Sequence, residues 1–294
     1  MSVIQKNRVL VITAITCAVV VYFLIIFGSH VRVTDSGMGC PDWPLCKGTI
    51  GPIHGFHAFM EQTHRYIAAL VSALVAITAL LALRWKNRPA AIRPAVFTGV
   101  TIVVQIILGA VTVFASNNAP TVAGHLLAGL ALLAGATTTA VATVIPRVEV
   151  HGSRLSKIVW IALAGAALLY LTGSLVVNAE AEKACASFPL CPSDQPLHLV
   201  VLHLIHRGTV ALASIALISF AIHAWQFWSH LRGARALAST LVALICATAT
   251  LGILSALKKA PADLQDLHLA GAAAVLALSV ALAAQGWLTG ADHP

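Results

Sequence analysis

Residues 9–28 read VLVITAITCAVVVYFLIIFG, twenty consecutive residues without a charge. At 1.5 Å per residue such a helix is roughly 30 Å long, the thickness of a bilayer's hydrocarbon core. Working outward, seven more stretches have the same character, at 58–83, 94–115, 121–145, 157–178, 199–227, 236–257 and 264–288. The 294-residue chain is 59% hydrophobic and 10% charged, with a mean hydropathy of +0.90. Soluble proteins carry roughly 25% charged residues, so a soluble globular fold is excluded. Aromatic residues make up 6%, and no blocks of about ten residues alternate apolar with polar, which excludes an outer-membrane barrel. An all-α integral membrane protein with eight transmembrane helices is expected, without room for a large extramembrane domain.

The net charge is +8 and the pI about 9.5, but there is no basic run or basic-aromatic interleaving to suggest nucleic acid as a partner. The arrangement of charge is more informative. Lys6, Arg8, Arg84, Lys86, Arg88, Arg93, Arg147, Arg154, Lys157, Arg232 and Arg235 fall at the N-terminus and on the even-numbered connections. By the positive-inside rule these segments face the cytoplasm, with both termini there. The other side carries most of the acids, among them Asp35, Asp42, Glu61, Glu180, Glu182, Asp194, Asp263 and Asp266. The first stretch follows Lys6 and Arg8 as a signal peptide would, yet it is long and lacks a small-residue cleavage site, so a retained anchor is expected.

The halves of the chain repeat. Cys40 and Cys46 recur 145 residues later as Cys185 and Cys191, and WPLC ending at Cys46 answers FPLC ending at Cys191. His64-Arg65 matches His206-Arg207, His125 matches His268, Gly28-Ser29 matches Gly173-Ser174, and Leu108-Gly109 matches Leu251-Gly252. These offsets of 142 to 145 indicate a duplicated four-helix unit. An even number of spans per unit makes the two copies parallel rather than inverted. The expected division is an N-terminal four-helix bundle over 1–150 and a C-terminal one over 151–294.

His64, His125, His206 and His268 lie four to eight residues into the second, fourth, sixth and eighth stretches, each of which starts on the outer side. All four therefore sit at one depth. Imidazoles inside a span are costly to place there and point to function. Each bundle offers two that can face each other across its core. Structural zinc wants three or four ligands, whereas two opposed imidazoles suit the axial positions of haem iron. CxxCH is absent, so thioether attachment is not expected. Arg65 and Arg207 follow their histidines near the outer interface, where a guanidinium pairs with a haem propionate or snorkels to the headgroups.

Glu61 precedes His64 by one helical turn, and its counterpart in the second half is His203. The first bundle thus carries a carboxylate beside its histidines while the second carries another imidazole, which competes with His206 as a ligand. One bundle reads as a reacting site and the other as a redox centre. The pairs Cys40–Cys46 and Cys185–Cys191 fall in outer loops, where disulfides persist and close short loops. Thiol chemistry at the first pair is the other reading. Cys17 and Cys246 lie within spans and read as packing residues.

Together, GMGCPDWPLC at 37–46, EQTHR at 61–65, the four histidines and the two outer cysteine pairs resemble the haem A synthase family over all eight stretches. The resemblance implies oxidation of the methyl group of haem O to the formyl group of haem A, through successive hydroxylations and loss of water. It implies that haem O binds between His64 and His125 with Glu61 as the catalytic residue near the reacting edge. It also implies a resident haem b on His206 and His268, with Arg65 and Arg207 beside the propionates. Expected partners are a haem O synthase upstream, terminal cytochrome oxidase assembly downstream and the lipid bilayer, in a bacterial cell membrane. Two rivals use the same histidines. One is a two-haem electron carrier linked to quinol, which has no need of Glu61, and the other is a haem transporter.

Overall fold

In the computed structural model of the chain, which describes residues 3–51, 54–85, 88–145, 155–179, 181–191 and 195–291, each apolar stretch is a helix. They are α1 (Val3–Val33), α2 (Phe56–Trp85), α3 (Ile92–Phe114), α4 (Ala119–Val144), α5 (Lys157–Asn178), α6 (Leu197–Phe227), α7 (Ala234–Leu257) and α8 (Ala262–Thr289). Each is long and apolar enough to cross a membrane. The described residues contain no strand, only an isolated antiparallel bridge between Cys46 and Thr49. Within a bilayer the backbone must satisfy its own hydrogen bonds, and a helix does so within one segment. Lys86, Arg147, Arg154, Glu180 and Asp194, with the side chain of Lys6, lie outside the described residues.

Most helices extend a turn or less beyond the apolar stretches, but α1 reaches Val33 instead of stopping at residue 28. The polar residues Ser29, His30 and Arg32 are compatible with helix once the chain leaves hydrocarbon. The end is closed locally, since the Thr34 hydroxyl donates to the His30 carbonyl at 2.7 Å and the Ser36 N–H donates to the Val31 carbonyl at 2.8 Å. Asp35 then turns the chain with φ 52°.

The chain divides into two compact units, Met1–Ala140 and Val141–Pro294. In the first, α1 packs on α2 and α2 on α3. The fourth helix joins them through small residues: a Cβ at Gly129 would lie 3.8 Å from Ile25 of α1, and one at Gly135 would lie 2.7 Å from the Thr98 hydroxyl of α3. A small gap lined by Ala14, Val75, Ala95 and Ala136 shows that all four helices share one core. In the second unit α5 packs on α6, α6 on α7, α7 on α8 and α5 on α8. At Gly165 the α5 backbone approaches α6 so closely that a Cβ would stand 3.4 Å from the Ala213 Cα. Such contacts drive association where lipid is as apolar as the side chains. Large apolar groups such as Phe23 and Leu212 instead point outward, 60% and 72% exposed. Cys17 is buried among packed residues as its sequence suggests, whereas Cys246 lies on the exposed face of α7.

Candidate functional site

The four histidines project from α2, α4, α6 and α8, and each rests its ring edge on a glycine of the helix before it. A Cβ built on Gly28 would stand 2.9 Å from the His64 Cε1. The same atom would be 3.2 Å away for Gly109 and His125, 3.1 Å for Gly173 and His206, and 2.7 Å for Gly252 and His268. A methyl group would collide with the ring at Gly28 and Gly252 and crowd it at Gly109 and Gly173, so these four glycines are seats for imidazoles. They stand out in the sequence as matched positions of the two halves, but their role as ring seats depends on cross-helix distance. All four rings are half-buried. Within each unit the two lie within electrostatic reach of each other, His64 with His125 and His206 with His268.

The ring nitrogens are treated differently in the two units. In the second, the His268 Nδ1–H donates to the Thr248 carbonyl at 2.9 Å. A carbonyl only accepts, so the proton is on Nδ1 and the lone pair on Nε2. His206 Nδ1 lies 3.1 Å from the Thr172 hydroxyl, which itself donates to the Leu169 carbonyl, also at 3.1 Å. The hydroxyl is therefore free to accept the Nδ1 proton. Both rings thus present an unprotonated Nε2 held in orientation through the other nitrogen, the arrangement that metal-binding histidines use. In the first unit the buried Nδ1 atoms of His64 and His125 have no partner. In place of Thr172 the first half has Phe27, whose ring stacks near His64 at 6.4 Å with an 18° interplanar angle. In that pair the His125 Nε2 lies 3.3 Å from the Gln105 amide nitrogen.

The outer loops are tied to these helices. Cys40 is bonded to Cys46 and Cys185 to Cys191, each pair with its Cα atoms 4.7 Å apart. Arg65 donates to the Asp42 carbonyl at 2.7 Å, the Cys40 carbonyl at 3.2 Å and the Leu45 carbonyl. It also pairs with Glu61 at 2.5 Å. The other Glu61 oxygen accepts the Cys40 N–H at 2.8 Å, and the residue is only 5% exposed. Arg207 repeats the clamp on the carbonyls of Pro189 at 2.6 Å, Cys185 at 3.0 Å and Ser187 at 2.7 Å. At the position matching Glu61, His203 is buried with Nδ1 unpartnered. The glycine seat and the threonine hydroxyl belong to His206. Most of the hydrogen-bonding fork of Arg65 and Arg207 faces loop carbonyls, which leaves positive charge as what the two side chains present.

The GMGC motif also has a local explanation. A Cβ on Gly39 would stand 2.4 Å from the His57 backbone carbon, so the loop lies directly against the first turn of α2. Asp42 in the same loop accepts the N–H groups of Lys47 at 2.5 Å and Gly48 at 2.7 Å. The Gly48 N–H first, with help from the Lys47 N–H, holds the Asp42 carboxyl below the usual carboxylate range. Gly48 sits at φ 73°, where an L side chain is strained.

A family model described as cytochrome oxidase assembly protein matches residues 11–56 and 53–280. The chain belongs to that family. Similar proteins include heme A synthase of Shewanella oneidensis, 25% identical over 303 residues, covering 86% of this chain and 89% of that protein. Heme A synthase of Staphylococcus saprophyticus is 26% identical over 270 residues, covering 87% and 88%. Heme A synthase of Bacillus licheniformis is 27% identical over 235 residues, covering 74% and 76%. The family match runs from α1 into α8 and so includes all four histidines, both disulfide loops and Glu61.

The residues present fit a haem. Two imidazoles per unit, each seated edge-on against a glycine, form a donor set suited to axial ligation of haem iron. Among the described residues no three His, Cys, Asp or Glu side chains gather as a metal site.

Proposed function

We propose that this protein is a haem A synthase that takes haem O as substrate in the first unit and converts its methyl group to a formyl group by successive hydroxylations and loss of water. His64 and His125 would bind the substrate, and His206 and His268 would hold a resident haem b. The carrying observation is the four glycine-seated imidazoles, anchored through Nδ1 in one unit and not in the other. A resident group favours ligands tethered through the ring nitrogen that faces away from iron, whereas a substrate that enters and leaves favours ligands without that tether. When bound, haem b supplies a one-electron redox centre, and the protein supplies position and electrostatics.

Glu61 lies one turn from His64, buried, and is the carboxylate nearest that ligand in sequence. Its role in the proposal is to hold a proton or water at the reacting edge. It also grips the disulfide loop through the Cys40 N–H and Arg65, which fixes where its oxygens stand. Arg65 and Arg207 contribute positive charge on the propionate side. The membrane in question is the bacterial plasma membrane, with the basic N-terminal and even-numbered connections cytoplasmic. A haem O synthase supplies the substrate, and terminal oxidase assembly receives the product.

The test is chromatography of haems extracted from the purified protein after expression with a haem O synthase in cells that otherwise make no haem A. Haem B together with haem A or its hydroxylated precursor is the expected result. Haem B alone, with haem O present in the membranes, overturns the proposal in favour of a two-haem electron carrier.

A further inference from the structure

The first unit differs from the second at one more place. Gln105 lies on α3 one turn before Gly109, the seat of His125, and its amide nitrogen is 3.3 Å from His125 Nε2. That nitrogen is the only one of the four Nε2 atoms with a hydrogen bond. At the matched position of the second unit stands Thr248, whose backbone carbonyl takes the Nδ1 proton of His268 and leaves Nε2 free. The amide has space because the facing residue of α4 is Gly129, where a Cβ would lie 3.2 Å from it. Its other end, Oε1, is buried without a partner. An amide serving only to hold helices together has both ends satisfied, since an unpaired buried carbonyl is unfavourable.

We propose that Gln105 is the positioning residue that makes the substrate's coordination exchangeable, its N–H capping His125 Nε2 in the free site and competing with iron for the same lone pair. Iron and the amide cannot share that lone pair. Loss of the iron bond is compensated by the amide bond, and the reverse holds on binding. The N–H donor also keeps His125 in the tautomer with its proton on Nδ1, so the ring that receives substrate is already in its ligating form. The inference deepens the proposed function and rests on the first unit taking haem O.

The experiment uses the full chain in detergent, purified from cells that coexpress a haem O synthase and mixed with excess apomyoglobin as haem acceptor. Chromatography separates B-type haem from O- and A-type haem, so the two sites are read independently. The axial ligation of the retained O-type haem is followed by its optical low-spin bands. Gln105→Leu removes the competitor at nearly constant volume. It shifts the partition of O-type haem toward the protein by about fivefold, the weight of one neutral hydrogen bond, and raises the low-spin fraction. Gln105→Glu puts an acceptor where the donor was, drives the His125 proton onto Nε2 and shifts the partition the other way. Gln105→Thr, which installs the residue of the second unit, behaves as Gln105→Leu and gives a second route to the same result. Retention of B-type haem at the wild-type ratio marks each variant as folded.

A structural role for Gln105 weakens retention in both the leucine and glutamate variants. That outcome, or partition unchanged in all three while His125→Ala still loses O-type haem, overturns the inference alone. O-type haem whose partition is indifferent to both His64→Ala and His125→Ala removes the substrate site itself and the inference with it.

Discussion

Gly252→Ala puts a methyl group where the structure leaves room only for hydrogen. The new Cβ would stand 2.7 Å from His268 Cε1 and 3.1 Å from Nδ1, and the closest comfortable approach is 3.4 Å. The ring must therefore retreat from α7 by about 0.7 Å. The Thr248 carbonyl that accepts from Nδ1 at 2.9 Å is also on α7, so the retreat stretches that bond to about 3.6 Å, too long to count as a hydrogen bond. Losing it costs about 1 kcal/mol and the crowding about 2 kcal/mol, while the helix propensity of alanine is the same with or without a bound group. The sum is about 3 kcal/mol against the ligated ring, or roughly 150-fold in haem affinity. Gly208→Ala, on α6 where a Cβ meets nothing within 4 Å, is the control with the same chemistry and no clash. The assay is haem B content per protein by extraction and chromatography, with the optical spectrum reporting six-coordination. Equal haem B and equal spectra in the two variants would refute both the seat and the role given to His268.

Three further perturbations address other parts of the site. Glu61→Gln keeps an acceptor for the Cys40 N–H but removes the charge facing Arg65, so haem content is retained while formation of haem A falls at least tenfold; unchanged turnover takes Glu61 out of the chemistry. Arg207→Lys loses the planar fork that holds three carbonyls of the second loop and destabilises the protein by about 2 kcal/mol in thermal unfolding, with cleavage of 185–191 by added protease as a local readout. Asp42 has a folded-state carboxyl held below its unfolded value, so its contribution to loop closure is complete above the unfolded value and is lost as pH falls through the folded one. Hydrogen exchange at Lys47 and Gly48 is expected to speed up, relative to the intrinsic rate, over that acidic window in wild type; Asp42→Asn abolishes that pH dependence, and an identical pH profile in the variant would exclude the carboxylate as its origin.

The eight helices were legible because hydrophobic length is a one-dimensional property, and α1 runs beyond its apolar stretch because helical backbone does not stop where hydrocarbon does. The four histidines were legible because duplication repeats them at matched positions. What each ring nitrogen bonds to was not, since Thr172, Phe27, Gln105 and Thr248 are unremarkable residues on apolar helices and acquire meaning only through the neighbour they meet. The arginines show the limit most clearly. Arginine beside histidine near the outer interface suggests an anionic ligand, but Arg65 and Arg207 turn their fork toward carbonyls of the disulfide-closed loops. A short closed loop has too few residues to satisfy its own carbonyls by secondary structure, and a buried carbonyl without a donor is unfavourable. The guanidinium, with five donors in one plane, is the side chain that meets several such carbonyls at once.

The same accounting separates the roles of the two loops. In the second unit Arg207 grips the loop through the carbonyls of Pro189, Cys185 and Ser187, and among the described residues the buried Nδ1 of His203 has no partner. In the first, Glu61 accepts the Cys40 N–H with one oxygen and meets Arg65 with the other, so the loop and the carboxylate are one mechanical element. Movement of Glu61 would leave the Cys40 N–H and part of the Arg65 fork unpaired in a buried place, at about 1–3 kcal/mol for each buried group. Glu61 is thereby held still by the loop it holds. Under the proposed function, a carboxylate acting at one edge of a bound substrate would use this constraint, and a unit that only retains a cofactor would not, which is consistent with His203 standing at the matched position.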